Sequence, residues 1–446
     1  MKKIEKILAI HYYYFPINSI GTRRNTNILN HFYDLIAPEE ILVLSTKNSY
    51  IEKDYSLKVK YHAVYVKTLD LFAFGHLKRT FFKKGKNKTT GVPGKKALNK
   101  NASTSKFIKF KNTLLGNLIL GEGGWLYILS AFFKARKFVN NNTIILSSFS
   151  PFSDHIVAYL LKLFHPKVIW VADFRDLYLQ EGINNVYAFK LHRHILKIIL
   201  KKANLVTTVS EGLSVPLKNF AKNVMVLRNG IDLDKILKNN NKRLFKKFSI
   251  SYTGSLYGLD RNPGPIFSAI NKAISRNEIE EKHVLINYAG YDSAMWESLI
   301  NQYGLSRVSV NHGVITKNKA LELQNASLIN VVITWCDKNN KGILTGKFFE
   351  YIEAANLIIV FIKGEKDVEF EKIIESTNVG AYFYENEEIL IEEYIVDKYR
   401  QWIRDNYVKA DYNLDALEGL TWASQIKNAI ITHLDIALPL INFSTS

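Results

Sequence analysis

The feature that most constrains the fold is an alternation of short apolar runs with longer helical patterns, which occurs twice along the chain. Short apolar runs predict strands buried in a parallel sheet, and the longer segments predict the helices that cover it. The first series ends at Leu205–Val209, the turn signal Asn229-Gly230 follows, and the second series starts at Phe248–Thr253. The sequence therefore predicts an α/β protein with two domains.

The expected boundaries follow from this alternation. Residues 1–228 form the first domain, residues 229–413 the second, and residues 414–446 a C-terminal helix placed to cross back to the first domain. The strands expected in the first domain are Ile7–His11, Ile41–Ser45, Lys58–Val66, Thr143–Ser147, Val168–Ala172 and Leu205–Val209. Those expected in the second are Phe248–Thr253, Val284–Ala289, Val308–His312, Leu328–Ile333 and Leu357–Phe361.

Bulk properties fit this division. A chain of 446 residues is too long for one hydrophobic core, and 47% hydrophobic residues suffice for two. The single cysteine, Cys336, can form no internal disulfide, which indicates a reducing compartment. The start of the chain resembles a strand more than a signal peptide, and the most apolar stretch, Leu114–Phe133, is interrupted by Asn117, Glu122 and glycines. We therefore expect a cytoplasmic protein without a transmembrane helix.

The formal net charge of +19 is concentrated in one segment. Residues 77–112 carry twelve Lys or Arg and no Asp or Glu, and phenylalanines such as Phe81 and Phe107 lie between them. Cations interleaved with aromatic rings suit the headgroup layer of an anionic membrane or the bases of a nucleic acid. A solvated insertion is an equal alternative. We favour peripheral contact with the inner face of the cell membrane.

The first domain carries four candidate site residues. Gly21 lies in the loop after the first strand and opens a helix, where free amides favour an anion, although a plain turn is the alternative. Asp173 and Arg175 come just past the fifth strand, where ligands of open parallel sheets gather. They could equally form a structural ion-pair cluster. His155 starts the helix before that strand, a position where packed histidines outnumber catalytic ones.

The second domain carries the segment LTGKFFEYIEAAN, which predicts a helix that begins near Gly346 after a Thr345 cap. Its first-turn amides offer a place for a pyrophosphate, Lys347 adds a positive charge, and Glu350 follows on nearly the same face. An ordinary amphipathic helix with exposed charges is the alternative.

Two further loops of the second domain follow predicted strands. In YTGSLYGLDRNP, Gly254 permits a ligand to approach closely and Arg261 supplies a cation. Val314 lies in the turn Gly313–Ile315 after another strand. A surface arginine and a simple strand-end turn are the alternatives.

The fragments VIWVADFRDLY, ANLVTTVSEGL, VLRNGID and LTGKFFEYIEAAN closely resemble, in order and spacing, those of the retaining transferases of glycosyltransferase family 4. The resemblance covers nearly the whole chain except the basic segment and the last dozen residues. It is closest to bacterial enzymes that build cell-surface polysaccharides such as lipopolysaccharide and capsule. It implies the GT-B fold, in which two Rossmann-like domains face each other across a ligand-binding cleft.

The resemblance also implies a reaction and residue roles. The reaction is transfer of a sugar, of the hexosyltransferase type and with retention, from a UDP- or GDP-linked donor to a glycan or polyprenyl-phosphate-linked acceptor. Asp173, His155 and Arg175 would act on the acceptor side. The donor would be bound by Gly21, Gly254, Arg261, Val314, Thr345, Gly346 and Lys347, and its ribose by Glu350.

The sequence departs from the family pattern at two positions. The family shows an earlier glutamate eight positions before Glu350, where this chain has Gly342, so that contact with the donor sugar is in doubt. Asn356 replaces the glycine usual at the end of the same helix, and we expect it to adopt the left-handed conformation there.

No His, Asp or Glu cluster has metal-ligand spacing, so neither a metal nor another cofactor is expected. Arg261, Lys347 and the helix start would stabilise the leaving diphosphate, which could itself take the acceptor proton. The alternatives are a nucleotide-sugar epimerase of GT-B fold, a catalytically silent GT-B scaffold, and a nucleic-acid-binding protein that uses the basic segment.

Overall fold

A computed structural model describes residues 1–17, 19–46, 53, 55, 57–69, 123–149, 151–176, 186–239, 244–338, 341–408 and 410–438. The basic segment 77–112 lies outside these residues. The chain forms two compact units. The first consists of Met1–Val209, Ser214–Leu227 and Ile426–Ser446, and the second of Ser210–Leu213 and Arg228–Gln425.

The described part of the first unit contains a seven-stranded, wholly parallel sheet with the order β3-β2-β1-β4-β5-β6-β7. The order reverses between β1 and β4, which is the arrangement of a Rossmann-like domain. Its strands are β1 Lys6–Ile10, β2 Glu40–Thr46, β3 Val64–Thr68, β4 Thr143–Phe149, β5 Ile169–Phe174, β6 Leu205–Thr208 and β7 Val224–Val226.

The second unit repeats this plan, with six parallel strands among its described residues in the order β10-β9-β8-β11-β12-β13. The reversal falls between β8 and β11. Its strands are β8 Phe248–Thr253, β9 Val284–Ala289, β10 Ser309–Asn311, β11 Ile329–Cys336, β12 Leu357–Gly364 and β13 Gly380–Tyr384. The predicted fold class, two α/β domains with parallel sheets, is confirmed.

Helices connect the strands of both sheets. In the first unit they are α1 Ile20–Ile36, α2 Gly124–Ala135, α3 Ser153–Phe164, α4 Val186–Leu200 and α5 Glu211–Leu217, of which α5 begins in the second unit. In the second unit they are α6 Leu233–Asn239, α7 Gly264–Ser275, α8 Ser293–Gln302, α9 Lys317–Asn325, α10 Gly346–Glu353, α11 Val368–Thr377, α12 Glu388–Asp405, α13 Leu414–Glu418 and α14 Trp422–Ile426.

The central strands are buried on both faces because helices cover both sides of a parallel sheet. Every residue of β4, β5 and β8 is buried, including the polar Ser147 and Ser251. In the sequence, β5 is a nearly continuous apolar run, whereas β4 and β8 each contain three Ser or Thr residues that the structure buries.

The two strands at the reversal point of the second sheet separate along their length. Only Ile250 and Ser251 of β8 have partners on β11, although β8 has six residues. Beyond that point the hydroxyl of Tyr351 from α10 and the amide of Gln324 from α9 bond to Thr253 Oγ1, both at 2.9 Å. Side chains therefore replace the sheet bonds where this sheet opens toward its carboxyl edge.

Three sequence predictions of secondary structure need correction. The third strand starts at Val64, not Lys58, because the Asn30 side chain bonds to the backbone of Lys58 and Lys60 at 2.9 and 3.0 Å. The short strands β7 and β13 were not predicted. The segment 414–433 is not one helix, because α13 ends before Gly419 and the Leu420 carbonyl accepts a bond from Ile231 N.

Candidate functional site

Three loops at the carboxyl ends of β8, β9 and β10 pack backbone against backbone in the second unit. Gly254 N donates to Ala289 O at 2.8 Å, and Gly290 N donates to Gly313 O at 2.9 Å. A Cβ atom on Gly290 would collide with the carbonyl oxygen of Gly254. The glycines therefore leave the carboxyl edge of this sheet without side chains at the contact, and Val314 follows with 61% of its surface exposed.

Arg261 lies between two aromatic rings near the same edge. Its guanidinium carbon is 4.6 Å from the ring centroid of Tyr257 and 5.5 Å from that of Trp335, at the end of β11. Both distances suit cation–π attraction. Among the described residues, its buried Nε has no hydrogen-bond partner. The two rings and the Tyr252 hydroxyl therefore hold the Arg261 guanidinium in place.

The turn that presents Tyr257 is strained. Tyr257 and Leu259 adopt left-handed backbone conformations, with φ of 50° and 75°, on either side of Gly258. A side-chain-bearing residue in this region costs on the order of 1–3 kcal/mol, and such strain collects at functional sites. Here the strain places the Tyr257 ring against Arg261.

Helix α10 begins beside the Gly254 loop. Thr345 is its N-cap residue, and the buried Thr345 Oγ1 has no hydrogen-bond partner among the described residues. The Lys347 side chain passes over Gly254, because its Cε is 2.9 Å from the position that a Cβ atom on that glycine would occupy. Gly254 and Lys347, which were predicted as site residues from separate segments, therefore lie side by side.

Tyr252 links these groups to Arg261. Its hydroxyl is 3.6 Å from the Cβ place of Gly254 and donates to Ser255 O at 2.8 Å. Burial raises the pKa of Tyr252, and the nearby Arg261 charge opposes that rise. The Tyr252 hydroxyl therefore lies beside Arg261 and Gly254, and the Lys347 side chain passes the same glycine.

Glu350 forms an ion pair with Lys317, the first residue of α9. Both side chains are about three-quarters buried, with relative exposures of 28% and 25%. Lys317 was not predicted as a partner, because it lies 33 positions before Glu350 in a different helix. The pair fixes the direction of the glutamate that the family resemblance assigns to the ribose.

The structure explains the glycine at position 342. Gly342 has a left-handed backbone, with φ of 68°, and a Cβ there would be 2.6 Å from Glu369 Oε2. Glu369 accepts bonds from Arg228 Nη2 at 2.6 Å and from Glu211 N at 2.8 Å. A carboxylate from α11 therefore fills the space beside the backbone at which the family carries a glutamate.

The expectation for Asn356 was wrong. The left-handed residue after α10 is Ala355, with φ of 57°. The Asn356 amide instead donates to the carbonyls of Gln324 and Asn325 at 3.1 and 3.0 Å. Asn356 thus ties the end of α9 to the strand β12 that it precedes.

In the first unit, Asp173 lies within β5 and not past its end, because the strand continues to Phe174. Arg24 of α1 binds both carboxylate oxygens, at 2.8 and 2.7 Å, and Thr207 Oγ1 donates to Oδ1 at 2.8 Å. Burial disfavours the charge on Asp173, but Arg24 and Thr207 outweigh it and lower the pKa. Asp173 and Arg24 form a buried ion pair, and Arg24 was missed because its partner lies 149 positions away.

His155 is fully buried in α3, next to Asp173. Trp170 Nε1 donates to Ser147 Oγ at 2.8 Å, and the same hydroxyl shares a hydrogen bond with His155 Nδ1 at 2.8 Å. The other ring nitrogen, Nε2, is buried without a hydrogen-bond partner among the described residues. His11, in turn, has both ring nitrogens buried without a hydrogen-bond partner among the described residues. A cavity of about 10 Å³ separates His11 from Asp173 and matches the space one buried water needs.

The two histidines predict acid sensitivity of the first unit. Burial lowers the pKa of His11 and of His155 from 6.5 to about 3, so both are neutral when folded. Unfolded histidines bind protons below pH 6.5, so folding stability is complete above that pH and is lost as pH falls toward 3. At pH 5 we expect a loss of about 2 kcal/mol per histidine.

Urea unfolding at pH 7.5 and pH 5 measures this loss. Replacing the exposed His433 with glutamine should leave the difference between the two pH values unchanged. Equal unfolding free energies at both pH values would contradict the prediction.

Gly21 and Arg175 touch each other. A Cβ on Gly21, in the first turn of α1, would be 2.6 Å from Arg175 Nη1. Arg175 Nε donates to Phe149 O at 3.2 Å, and its side chain keeps 19% exposure. The absence of a side chain at position 21 therefore lets the guanidinium lie on the start of α1. Arg175 pairs weakly with Asp176, at 3.7 Å.

Among the described residues, no group of three or more His, Cys, Asp or Glu side chains is arranged to hold a metal ion. Within the same residues, no helix combines the length and the apolar character that a membrane span requires.

Solved structures similar to this chain cover nearly all of it. Sucrose-phosphate synthase from Thermosynechococcus elongatus matches with a TM-score of 0.53 at 12% identity, over 94% of this chain and 96% of its own. S. aureus TarM matches with a TM-score of 0.54 at 11% identity, over 97% of this chain and 100% of its own. The E. coli trehalose-6-phosphate protein bound with UDP-2-fluoro glucose matches with a TM-score of 0.58 at 12% identity, over 97% of this chain and 100% of its own. The chain has the GT-B fold.

At these identities the likeness shows the fold alone. No protein-family model matches the chain, and no curated protein matches it. Of the residues that the sequence assigned to the donor, Gly254, Arg261, Thr345 and Lys347 lie near the carboxyl edge of the second sheet, whereas Gly21 lies in the first unit. In the first unit, Asp173 and His155 adjoin each other below the surface, and Gly21 and Arg175 form a separate contact.

Proposed function

We propose that this protein transfers a sugar from a nucleotide diphosphate donor and that the second unit binds the donor. The observation that carries the proposal is the group formed by Arg261, Lys347 and the start of α10 around Gly254. Fixed cations and a helix N-terminus at a glycine loop suit the charge of a diphosphate. The E. coli protein of the same fold is bound with UDP-2-fluoro glucose, and the TarM structure contains UDP, which supports a UDP-linked donor over a GDP-linked one.

The same group supports the chemical step. As the bond from the anomeric carbon to the diphosphate breaks, negative charge grows on the diphosphate oxygens, and Arg261 and Lys347 oppose that charge. The aromatic rings of Tyr257 and Trp335 hold the guanidinium in place, so little reorganisation is needed. In this proposal the reaction retains the anomeric configuration and needs no metal, and the departing phosphate takes the acceptor proton.

The roles predicted for the first unit are refined in this proposal. Asp173 and His155 position the carboxyl edge of the sheet, because Arg24 and Thr207 occupy the carboxylate and Ser147 occupies the imidazole Nδ1. Arg175 keeps 19% exposure beside the start of α1, so it is the member of the set that we assign to the acceptor.

The acceptor that we propose is a glycan or a polyprenyl-phosphate-linked sugar in cell-surface polysaccharide synthesis, modified by a hexosyltransferase reaction in the cytoplasm at the membrane. The net charge of +19 and the basic segment 77–112 favour an anionic surface near the acceptor.

A thermal-shift panel tests donor binding. UDP, GDP and their sugars are each added over a range of concentrations. A ligand present at about 100 times its dissociation constant adds about 2.7 kcal/mol to the free energy of unfolding. For a unit of this size we expect one nucleotide to raise the melting temperature by about 5–10 °C. No shift with any nucleotide diphosphate would contradict the proposal.

Product analysis with the stabilising nucleotide sugar then identifies the reaction. A transferase releases the nucleoside diphosphate and moves the sugar to an added acceptor, whereas an epimerase returns an isomeric nucleotide sugar. A shift in melting temperature without any product would indicate a silent scaffold.

A further inference from the structure

Helix α2 displays a stripe of large apolar side chains on the surface of the first unit. Trp125, Leu129 and Phe133 are exposed to 51%, 44% and 54%, and they are four residues apart. That spacing places them on one face of the helix. The opposite face is already buried, because Tyr127, Ala131 and Ala135 have no exposed surface. The stripe therefore has no role in the core of this unit.

The chain displays here a part of its most apolar stretch. Leu114–Phe133 is the nearest approach in the sequence to a membrane-spanning segment, and α2 forms its second half. The patch extends beyond the helix to Phe164 of α3, which is 69% exposed. Phe164 adjoins α2 through Phe132, with ring centroids 5.2 Å apart.

The charged side chains on α2 and in the residues that follow it to 142 are all basic. Lys134, Arg136 and Lys137 are exposed at the end of α2, and the Arg136 guanidinium lies 5.0 Å from the centroid of the Phe133 ring. Residues 123–142 contain no Asp or Glu, and neither do residues 61–69, which include β3. A second copy of this face would bring cations against cations, whereas an anionic surface would pair with them.

We propose that α2 is a membrane-docking helix that inserts Trp125, Leu129 and Phe133 into the interface of an anionic lipid bilayer. The stripe spans about 12 Å along the helix axis, which suits a helix lying in the plane of the membrane and not crossing it. Arg136 and Lys137 then contact anionic headgroups from the same edge. This docking surface differs from the basic segment 77–112 and does not depend on the proposed sugar transfer.

Flotation of the full chain with vesicles tests the docking surface. Vesicles of phosphatidylcholine alone are compared with vesicles containing a third of phosphatidylglycerol, at low and at physiological ionic strength. The variant W125S/L129S/F133S should lose at least tenfold in partition to the anionic vesicles. The variant R136Q/K137Q should weaken binding severalfold and reduce its dependence on salt. Both variants alter exposed side chains, so the melting temperature should not fall.

A matched control replaces an exposed apolar residue elsewhere. Ile389 of the second unit is 70% exposed, and I389S should bind vesicles as the parent does. All variants keep residues 77–112, so a loss of binding reports on α2. The proposal would be overturned if the triple variant bound anionic vesicles as strongly as the unaltered protein. It would also be overturned if the unaltered protein did not bind anionic vesicles at low salt. A concentration-dependent dimer that the triple variant dissociates without lipid would overturn it too, since that would make the face a protein interface.

Discussion

Replacing Arg261 with alanine is expected to lower kcat by about 100- to 1000-fold, the loss that follows removal of one preorganised donor from a developing anion. The guanidinium lies between Tyr257 and Trp335, so its position is set before the donor binds. The melting-temperature rise caused by the nucleotide diphosphate should shrink in the same variant. Steady-state kinetics and the thermal shift measure the two effects.

Two further variants separate charge from geometry at this residue. Arg261→Lys keeps the charge but loses the planar stacking, so we expect partial activity. Arg404→Ala is the matched control, because that arginine of the same unit is 73% exposed and pairs at 3.0 Å with Asp405, which is itself exposed. Full turnover of Arg261→Ala would remove Arg261 from the donor site.

Replacing Asp173 with alanine is expected to destabilise the first unit by about 3–5 kcal/mol, because it leaves the Arg24 guanidinium buried without its carboxylate. The Arg24 side chain has only 2% exposure and cannot turn to water without moving α1. Urea unfolding, monitored by a spectroscopic signal from the first unit, measures the loss in the free energy of unfolding.

The neighbouring Asp176 gives the control. Its side chain is 67% exposed, so Asp176→Ala should change stability by less than about 0.5 kcal/mol. Replacing both partners, as Arg24→Met with Asp173→Leu, should recover much of the stability, since burying an apolar pair avoids the desolvation of two charges. An Asp173→Ala protein as stable as the parent would show that the pair contributes nothing.

The architecture was predictable because it depends on local patterns. Phe248–Thr253 and Val284–Ala289 were predicted with the bounds that the structure shows. The first alternates apolar and polar residues, the second is nearly all apolar, and a glycine follows each of them directly. The edge strands were harder. Val224–Val226 has three partly buried residues, and Gly380–Tyr384 starts with a glycine and alternates weakly, so neither carries the signal of a central strand.

The candidate site was predictable only where one segment supplies several of its groups. Thr345, Gly346 and Lys347 occur together at a helix start, and the structure brings them to Gly254. Pairs that join distant segments leave no local pattern, as with Arg24 and Asp173 or Lys317 and Glu350. The carboxylate of Glu369 beside Gly342 is of the same kind, because it depends on a fold-level contact between α11 and a loop.

The first unit is discontinuous, since the second unit is inserted before its final segment, Ile426–Ser446. Ile430 of that segment lines the cavity beside His11, Asn25 and Asp173. During synthesis, the ribosome therefore completes the inserted unit before it supplies the residue that covers this polar cluster. At a synthesis rate of about 5–20 residues per second, the final segment is made on the order of ten seconds or more after the strands of the first sheet. Chaperones that recognise exposed apolar surface have that interval in which to act.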